Sequence, residues 1–234
     1  MIKIRPSAAR GHANHGWLDT YYTFSFSHYY DPKHMGFRAL RVINEDWISA
    51  NQGFGAHPHR DMEIITYIVE GELSHRDSTG TEATIKQNDV QRMSAGTGVV
   101  HSEFNNSDKA VHLLQIWIMP AADDLKPSYE DRTFRREEKQ NRLRLIASDD
   151  GRDDSTRINQ DASVYASLLD GGKTLDLALK PGRHAWVQLI GGELEVNGTR
   201  LNKGDGAAIS DERKLTLASV GSNGAAEFLL FDLA

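Results

Sequence analysis

The chain has 234 residues, of which 39% are hydrophobic and 26% charged, so a packed core is expected and global disorder is disfavoured. It contains no cysteine, which excludes disulfides, zinc ribbons, iron–sulfur clusters and thiolate catalysis, and a bound metal must therefore have nitrogen and oxygen ligands. The net charge of −6 disfavours direct electrostatic binding of nucleic acid.

The amino-terminal segment and the longest apolar run both bear on localisation. Residues 1–17 mix basic and polar side chains without an apolar run, so we expect no secretory signal. Residues 111–122 form the longest apolar run, but His112, Gln115 and Pro120 interrupt it, and a membrane helix needs about 20 apolar residues. We therefore expect a cytoplasmic protein that does not span a membrane.

Short stretches rich in Val, Ile, Tyr, Phe and Thr predict β-strands along the whole chain. The clearest are residues 39–44, 63–69, 90–94, 111–119, 186–190 and 228–233. Turns of Gly, Asn and Asp separate them, and Asn197-Gly198 is the strongest because both of its residues accept a positive φ. Many short strands without a long amphipathic helix predict an all-β sandwich or barrel.

The chain divides around a charge-dense stretch, residues 130–157, which has eight acidic and eight basic side chains and is interpreted as a connection with one strand or helical turn. Residues 63–73 and 186–194 on either side share the order strand, glycine turn, Glu-Leu strand, which indicates an internal duplication. We predict an N-terminal barrel over residues 1–130, a connection over 131–157 and a C-terminal barrel over 158–234, with edge strands that can be shared between the barrels.

Two of the ten histidines, His57 and His59, stand in a pattern that favours metal binding. Residues at i and i+2 of an extended chain point to the same side, so the two imidazoles would project in parallel. Pro58 between them suits an edge position, because proline cannot donate to a central ladder. His101 and Glu103 repeat the spacing about 40 residues further on, again beside a Gly-rich turn.

Three imidazoles and a carboxylate suit a divalent first-row metal, and without sulfur ligands iron, manganese, nickel, copper, cobalt and zinc all remain open. The alternative is that these residues are unrelated surface histidines on two hairpins, since a single His-x-His pair also occurs by chance. The isolated histidines need no functional explanation.

The two segments resemble the paired motifs of the cupin superfamily. The first motif is matched by Gly53, His57, His59, Glu63 and Gly71, and the second by Gly96, Gly98, His101 and Asn105, with Gly96 where proline is usual. Further segments resemble the pirin family, and bacterial pirin-like quercetin 2,3-dioxygenases in particular. They are residues 16–19, 23–26, 30–32, 57–63 and 94–98.

The resemblance implies a bicupin, with two cupin β-barrels face to face and one metal in the N-terminal barrel. The metal ligands would be His57, His59, His101 and Glu103. Glu63 would lie behind them and orient a histidine or a water molecule. The second barrel departs from the motif, since His184 is the lone histidine of residues 181–186, and it would bind no metal.

The resemblance also implies an activity. A flat aromatic substrate, the flavonol quercetin, would bind together with O2, and Glu103 or Glu63 would remove its 3-hydroxyl proton before ring cleavage and release of CO. Fe(II) is the first expectation for the metal. The candidates for an apolar pocket wall, each of which could instead belong to the barrel core, are Phe24, Phe26, Phe37, Phe54 and Phe104.

Two other functions remain open at this point. A non-enzymatic, metal-dependent redox sensor or transcription co-regulator would act through a protein partner, and without cysteine its sensing would have to occur at the metal. Another cupin enzyme of small molecules, such as an isomerase, would use the same residues. In each case we expect a monomer that does not bind nucleic acid directly.

Overall fold

The structure, a computed structural model, describes residues 1–220 and 224–234. These residues are almost wholly β, as the turn pattern predicts, and each of the six predicted stretches falls on a strand. The helical segments among them are two 3-10 turns, Ser7–Ala9 and Arg152–Asp154, and one short helix, α1 (Arg136–Lys139). No helix of the described part is long and apolar enough to cross a membrane.

The strands are short and follow one another closely. The first twelve are β1 (Ile2–Arg5), β2 (Gly11–Asn14), β3 (Leu18–Tyr22), β4 (Leu40–Ile48), β5 (Gln52–His59), β6 (Glu63–Glu70), β7 (Glu72–Asp77), β8 (Glu82–Lys86), β9 (Asp89–Ser94), β10 (Val99–Asn105), β11 (Val111–Ile118) and β12 (Ser128–Thr133). The others are β13 (Arg144–Ser148), β14 (Thr156–Arg157), β15 (Ala162–Leu169), β16 (Thr174–Ala178), β17 (His184–Gly191), β18 (Glu193–Val196), β19 (Thr199–Asn202), β20 (Gly206–Ile209), β21 (Lys214–Ser219) and β22 (Ala226–Leu233).

The chain forms two compact units. We call them the N-terminal unit, Gly11–Thr133 with Thr156–Gln160, and the C-terminal unit, Met1–Arg10, Phe134–Ser155 and Asp161–Ala234. This division differs from the predicted one at its boundaries. Residues 1–10 belong to the C-terminal unit because β1 pairs antiparallel with β20, and residues 134–155 of the predicted connection belong to it as well, since β13 pairs with β15. Residues 158–160, predicted in the C-terminal barrel, belong to the N-terminal unit.

Each unit is built from a larger and a smaller antiparallel sheet. In the N-terminal unit the larger sheet has the order β12-β9-β6-β11-β4-β3-β2 and the smaller one β5-β10-β7-β8. In the C-terminal unit the corresponding orders are β1-β20-β17-β22-β15-β13 and β16-β21-β18-β19. The second unit therefore repeats the strand order of the first, as the sequence repeat predicts.

The turn after β6 and the corresponding turn after β17 both require glycine, and for the same structural reason. Gly71 follows β6 with φ +84°, and a Cβ there would come within 3.1 Å of the Ala110 carbonyl oxygen. Gly192 follows β17 with φ +75°, and its Cβ would come within 2.7 Å of the Ala225 carbonyl oxygen. Both positions need a positive φ and a close backbone approach, which only glycine combines without strain.

The two units fill their interiors differently. In the C-terminal unit one large cluster of buried aliphatic and aromatic side chains extends across both sheets. In the N-terminal unit the apolar core between the sheets is split into a cluster around Ile48, Ile68 and Leu113 and a smaller one of Ile64, Met93 and Val99. Polar side chains occupy the remaining interior of this unit, and they form the site described next.

Candidate metal centre

His57, His59 and His101 meet where β5 pairs with β10. His57 lies opposite His101 in this antiparallel ladder, and a β-bulge in β5 shifts the register beyond that pair. The ring centroids lie 4.8 Å apart for His57–His59, 4.5 Å for His57–His101 and 4.8 Å for His59–His101. One ring nitrogen from each histidine lies within 4.8 Å of the other two. The structure thus brings together the three histidines that the sequence singles out.

The nitrogen positions suit a metal ion. The Nε2 atoms of His57 and His101 lie 3.0 Å apart. Two nitrogens that each bind a metal at about 2.1 Å, at right angles, are separated by about 3.0 Å. The Nδ1 of His57 lies 2.8 Å from the carbonyl oxygen of Gly55, to which only an Nδ1–H can donate. The Nε2 of neutral His57 therefore carries the lone pair that a metal requires.

Burial keeps His59 and His101 neutral. It lowers the pKa of His59 to about 4, and the neighbouring His57 lowers it further. Burial also lowers the pKa of His101 to about 3, with added contributions from His57 and His59. Neutral imidazole is the form that coordinates metals, so these two side chains are available as ligands at pH 7.

Glu103 lies beside this group but is held by amides. It is 3% exposed, and its two carboxylate oxygens accept hydrogen bonds from Gln91 Nε2 at 3.2 Å and Gln115 Nε2 at 3.1 Å. Burial raises the pKa of Glu103, although His75 and the Gln91 amide oppose the rise. One carboxylate oxygen of Glu103 and one ring nitrogen from each of His75 and His101 lie within 4.8 Å of one another, so these three side chains form a second group of possible metal ligands.

Glu63 is not part of this group. The next residue of β6, Ile64, packs inside the unit against Met93, so alternation along the strand directs Glu63 to the opposite face. There its carboxylate accepts hydrogen bonds from Ser94 Oγ at 2.7 Å and Asn159 Nδ2 at 3.0 Å. The expectation that Glu63 orients a histidine of the site or serves as its base is therefore corrected by the strand alternation.

His75 and Asp77 lie beside this group and were not predicted from the sequence. Both side chains are buried, and His75 Nε2 lies 3.0 Å from Asp77 Oδ2. Burial opposes the ionisation of Asp77, but hydrogen bonds from His75, Thr79 and Thr81 outweigh it and lower its pKa to about 2. The signal in the sequence was the i, i+2 spacing of His75 and Asp77, the same spacing as in the two motifs.

A cavity of about 300 Å³ opens beside the histidines. Its lining residues are Phe26, Asn44, Asp46, Phe54, His57, His59, Glu103, Leu113, Gln115 and Trp117. A second cavity of about 270 Å³ shares Phe26, Asn44, Asp46 and Phe54 with the first. Two of the five candidate phenylalanines thus line the cavity. Phe24 belongs to the buried core, and Phe104 lies 40% exposed on another surface, whereas Phe37 lines neither cavity.

The cavity also presents buried polar atoms that the chain does not satisfy. Asn44 Oδ1, Asp46 Oδ1 and Trp117 Nε1 have no hydrogen-bond partner among the described residues. Burial raises the pKa of Asp46 to about 7, and the negative charges of Glu103 and Glu45 add to this effect. The sequence signal was a run of polar residues, 44–46, inside an otherwise apolar strand. Unpaired buried polar atoms in a cavity suit the hydroxyl groups of a ligand.

The equivalent positions of the C-terminal unit are apolar. In its β16–β21 ladder Leu177 lies opposite Leu215 and Leu175 opposite Leu217, where the N-terminal unit has His57 opposite His101 and Phe54 opposite Glu103. Leu215 and Leu217 are fully buried in the large core cluster. The C-terminal unit therefore has leucine side chains at the positions where the N-terminal unit has possible metal ligands. That this unit binds no metal stays a prediction.

Comparisons with known proteins agree with this organisation. The family model described as Pirin matches residues 3–118, and the one described as Quercetinase C-terminal cupin domain matches residues 145–233. A quercetin 2,3-dioxygenase of Escherichia coli strain K12 is 46% identical over 236 residues, covering 100% of this chain and 99% of its own. A putative quercetin 2,3-dioxygenase of Pseudomonas aeruginosa is 43% identical and covers 100% of both chains.

Solved structures lead to the same family. The crystal structure of YhhW from Escherichia coli has a TM-score of 0.95 and 45% identity and covers 100% of this chain and 98% of its own. That of bacterial pirin YhhW in complex with nickel(II) has a TM-score of 0.93 and 44% identity, with coverage of 100% and 99%. The predicted all-β bicupin fold is confirmed, and the chain belongs to the pirin family.

Proposed function

We propose that this chain is a metal-dependent dioxygenase that cleaves the flavonol quercetin with O2 and releases CO. The observation that carries the proposal is the cluster of three imidazoles, His57, His59 and His101, beside an aromatic cavity that is also lined by the buried carboxylate of Glu103. The full-length relatives named quercetin 2,3-dioxygenase support the same reaction. In it two carbon–carbon bonds break, both atoms of O2 enter the cleaved product, and one ring carbon leaves as CO.

His57, His59, His101 and Glu103 are the proposed metal ligands. A divalent transition metal bound there would supply the Lewis acidity and redox capacity that a reaction with O2 needs. Nitrogen and oxygen donors suit Fe(II), which we propose as the metal. Ni(II) is the first alternative, because a bacterial pirin with 44% identity has been solved with nickel(II).

Glu103 is proposed as the base that takes the proton of the substrate's 3-hydroxyl group. It lines the cavity, and burial raises its pKa and hence its affinity for a proton. The amides of Gln91 and Gln115 hold both of its oxygens in place, which fixes the direction of the proton transfer. Glu63, on the other face of β6, takes no part.

The cavity suits a flat, hydroxylated aromatic molecule. Phe26, Phe54 and Trp117 supply apolar walls, and Trp117 packs edge-on against His59 with ring centroids 4.9 Å apart. The unpaired oxygens of Asn44 and Asp46 are placed to accept hydrogen bonds from ring hydroxyls. An aliphatic substrate would lack the ring faces that pack against these aromatic walls, and one without hydroxyl groups would leave both oxygens unpaired.

The direct test is aerobic turnover of quercetin by protein loaded in turn with iron, manganese, nickel, copper, cobalt or zinc. We expect loss of the quercetin absorbance together with CO release for at least one metal, Fe(II) or Ni(II) first. If none of these metals supports either signal, the dioxygenase proposal is wrong.

The ligand assignment is tested separately by metal content. His57→Ala, His59→Ala and His101→Ala are each expected to lose bound metal in elemental analysis while circular dichroism stays that of a folded β protein. His12→Ala is a suitable control, because His12 is exposed and pairs with Asp19. One metal per chain in any of the three ligand variants would contradict the assignment.

A further inference from the structure

A buried histidine and aspartate lie directly behind His101. β7 carries His75 and Asp77, which lie opposite Glu103 and His101 in the ladder with β10, and their side chains are 0% and 1% exposed. His75 Nε2 lies 3.0 Å from Asp77 Oδ2, and His75 Nδ1 lies 3.5 Å from His101 Nδ1. The remaining ring nitrogen of His101, Nε2, faces the Nε2 of His57. Asp77, His75 and His101 therefore form a line that ends at the proposed metal position.

The direction of the hydrogen bonds in this line starts at Asp77. Its Oδ1 accepts from the backbone N–H of Thr79 at 2.8 Å, the Thr79 hydroxyl at 2.6 Å and the backbone N–H of Thr81 at 3.2 Å. These three donors fix the carboxylate so that Oδ2 faces His75. A carboxylate oxygen accepts, so His75 carries its hydrogen on Nε2 and, when neutral, has a lone pair on Nδ1.

This lone pair determines the tautomer of His101. Two N–H groups facing each other at 3.5 Å would repel, as would two lone pairs, so His101 presents Nδ1–H to the His75 lone pair. His101 Nε2 then carries a lone pair that faces the Nε2 lone pair of His57 at 3.0 Å, and a metal ion bound by both nitrogens would remove the repulsion between them. A metal-binding histidine usually has such a partner on its second nitrogen, and the loss of the partner weakens metal binding.

We propose that His75 and Asp77 are positioning residues, which hold His101 in the tautomer that has a free Nε2 lone pair. This inference rests on the proposed metal site. The same task is done for His57 by a backbone group, the carbonyl oxygen of Gly55. Among the three histidines, His101 is the one for which the described residues provide a side-chain relay, and Asp77 is the terminal member of that relay.

The substitution Asp77→Asn tests the relay with almost no change in shape. The backbone N–H groups of Thr79 and Thr81 require an acceptor at the Oδ1 position, so the amide oxygen must occupy it. The amide NH₂ then occupies the Oδ2 position and donates to His75 Nε2. His75 is driven to the Nδ1–H tautomer, which drives the hydrogen of His101 onto Nε2, where it blocks the metal.

The first measurement is the affinity of the purified protein for Fe(II) and Ni(II), by competition with a chelator under anaerobic conditions. We expect Asp77→Asn to bind either metal about 10- to 100-fold more weakly than the wild-type chain. The matched control is Asp205→Asn, which alters another buried carboxylate with backbone donors, in the C-terminal unit, and should keep the wild-type affinity. An affinity of Asp77→Asn within threefold of wild type would overturn the proposal.

The second measurement needs no metal and no activity. Imidazole ¹⁵N–¹H NMR of the metal-free protein should show His75 protonated on Nε2 in the wild type and on Nδ1 in Asp77→Asn. A wild-type His75 protonated on Nδ1 would overturn the relay even if metal binds. Conversely, if the tautomers and affinities behave as expected but quercetin is not consumed, the relay stands and the proposed dioxygenase function fails.

Discussion

Asp46 is buried, Thr20 offsets this burial only in part, and replacement of the Asp46 carboxylate should stabilise the protein in a pH-dependent way. Burial raises its pKa to about 7 in the folded chain, against 3.8 for an exposed aspartate. Between these two values the folded chain holds a proton that the unfolded chain has already released. The free energy of unfolding therefore falls as the pH rises through this window, and it stays low above pH 7.

The magnitude follows from the width of the window. Each pH unit in which only the folded chain holds the proton costs about 1.4 kcal/mol, so the whole window costs up to about 4 kcal/mol. Asp46→Asn stays neutral at every pH. In the metal-free protein the variant should match the wild type near pH 4 and exceed its unfolding free energy by about 2–4 kcal/mol at pH 8.

Urea denaturation at pH 4, 5.5, 7 and 8, followed by tryptophan fluorescence, measures this difference. Trp17, Trp47 and Trp117 lie in the same unit as Asp46, so the signal reports on the relevant part of the chain. Asp131→Asn on the exposed face of β12 is the control and should change the unfolding free energy by less than about 0.5 kcal/mol at each pH. An Asp46→Asn effect that is the same at pH 4 and pH 8 would refute the reasoning.

Three further outcomes are expected. Gly71→Ala should lower the unfolding free energy by about 1–3 kcal/mol, because it adds a Cβ at a position with positive φ that is in close contact with neighbouring backbone atoms. Gly80→Ala also adds a Cβ at positive φ, but into open space, so it should lower the unfolding free energy by less in the same denaturation assay. His184→Ala should leave the metal content unchanged by elemental analysis, and a loss of metal would mean that the C-terminal unit takes part in binding. The metal-free protein should lose stability as the pH falls from about 6.5 towards 4, because His59 and His101 then resist protonation when folded but not when unfolded, and a flat acid profile would contradict their low pKa values.

The metal motif could be predicted because it is local. The spacing of two residues between His57 and His59, and between His101 and Glu103, places each pair on one side of an extended strand. Strand alternation alone does not say which two strands are neighbours. The resemblance to a family supplied that pairing, and the structure places His57 opposite His101 as the pairing requires.

The residues that the sequence analysis missed or misplaced have a common reason. Glu63 is part of a motif, but the direction of its side chain depends on which face of β6 packs inside the unit. Ile64 lies on that inner face, so Glu63 lies on the opposite one. Asp46 and His75 lie just outside the first motif, on β4 and β7, and reach the site only because these strands pair as they do in the assembled sheets. Likewise, residues 1–10 join the C-terminal unit through pairing with β20, some 200 residues further on.

By themselves, the composition and local patterns of the sequence determined an all-β chain without thiol chemistry, with a repeated strand order and with histidines spaced to bind a metal through nitrogen. These properties depend on residue type and on the two-residue period of a strand, both of which are visible in a short window. The tertiary structure alone decided which face of β6 carries Glu63, that Asp77 and His75 lie behind His101, and that Leu177, Leu215 and Leu217 fill the C-terminal unit. Those outcomes depend on which faces and strands meet, and they arise from contacts between residues far apart in the chain.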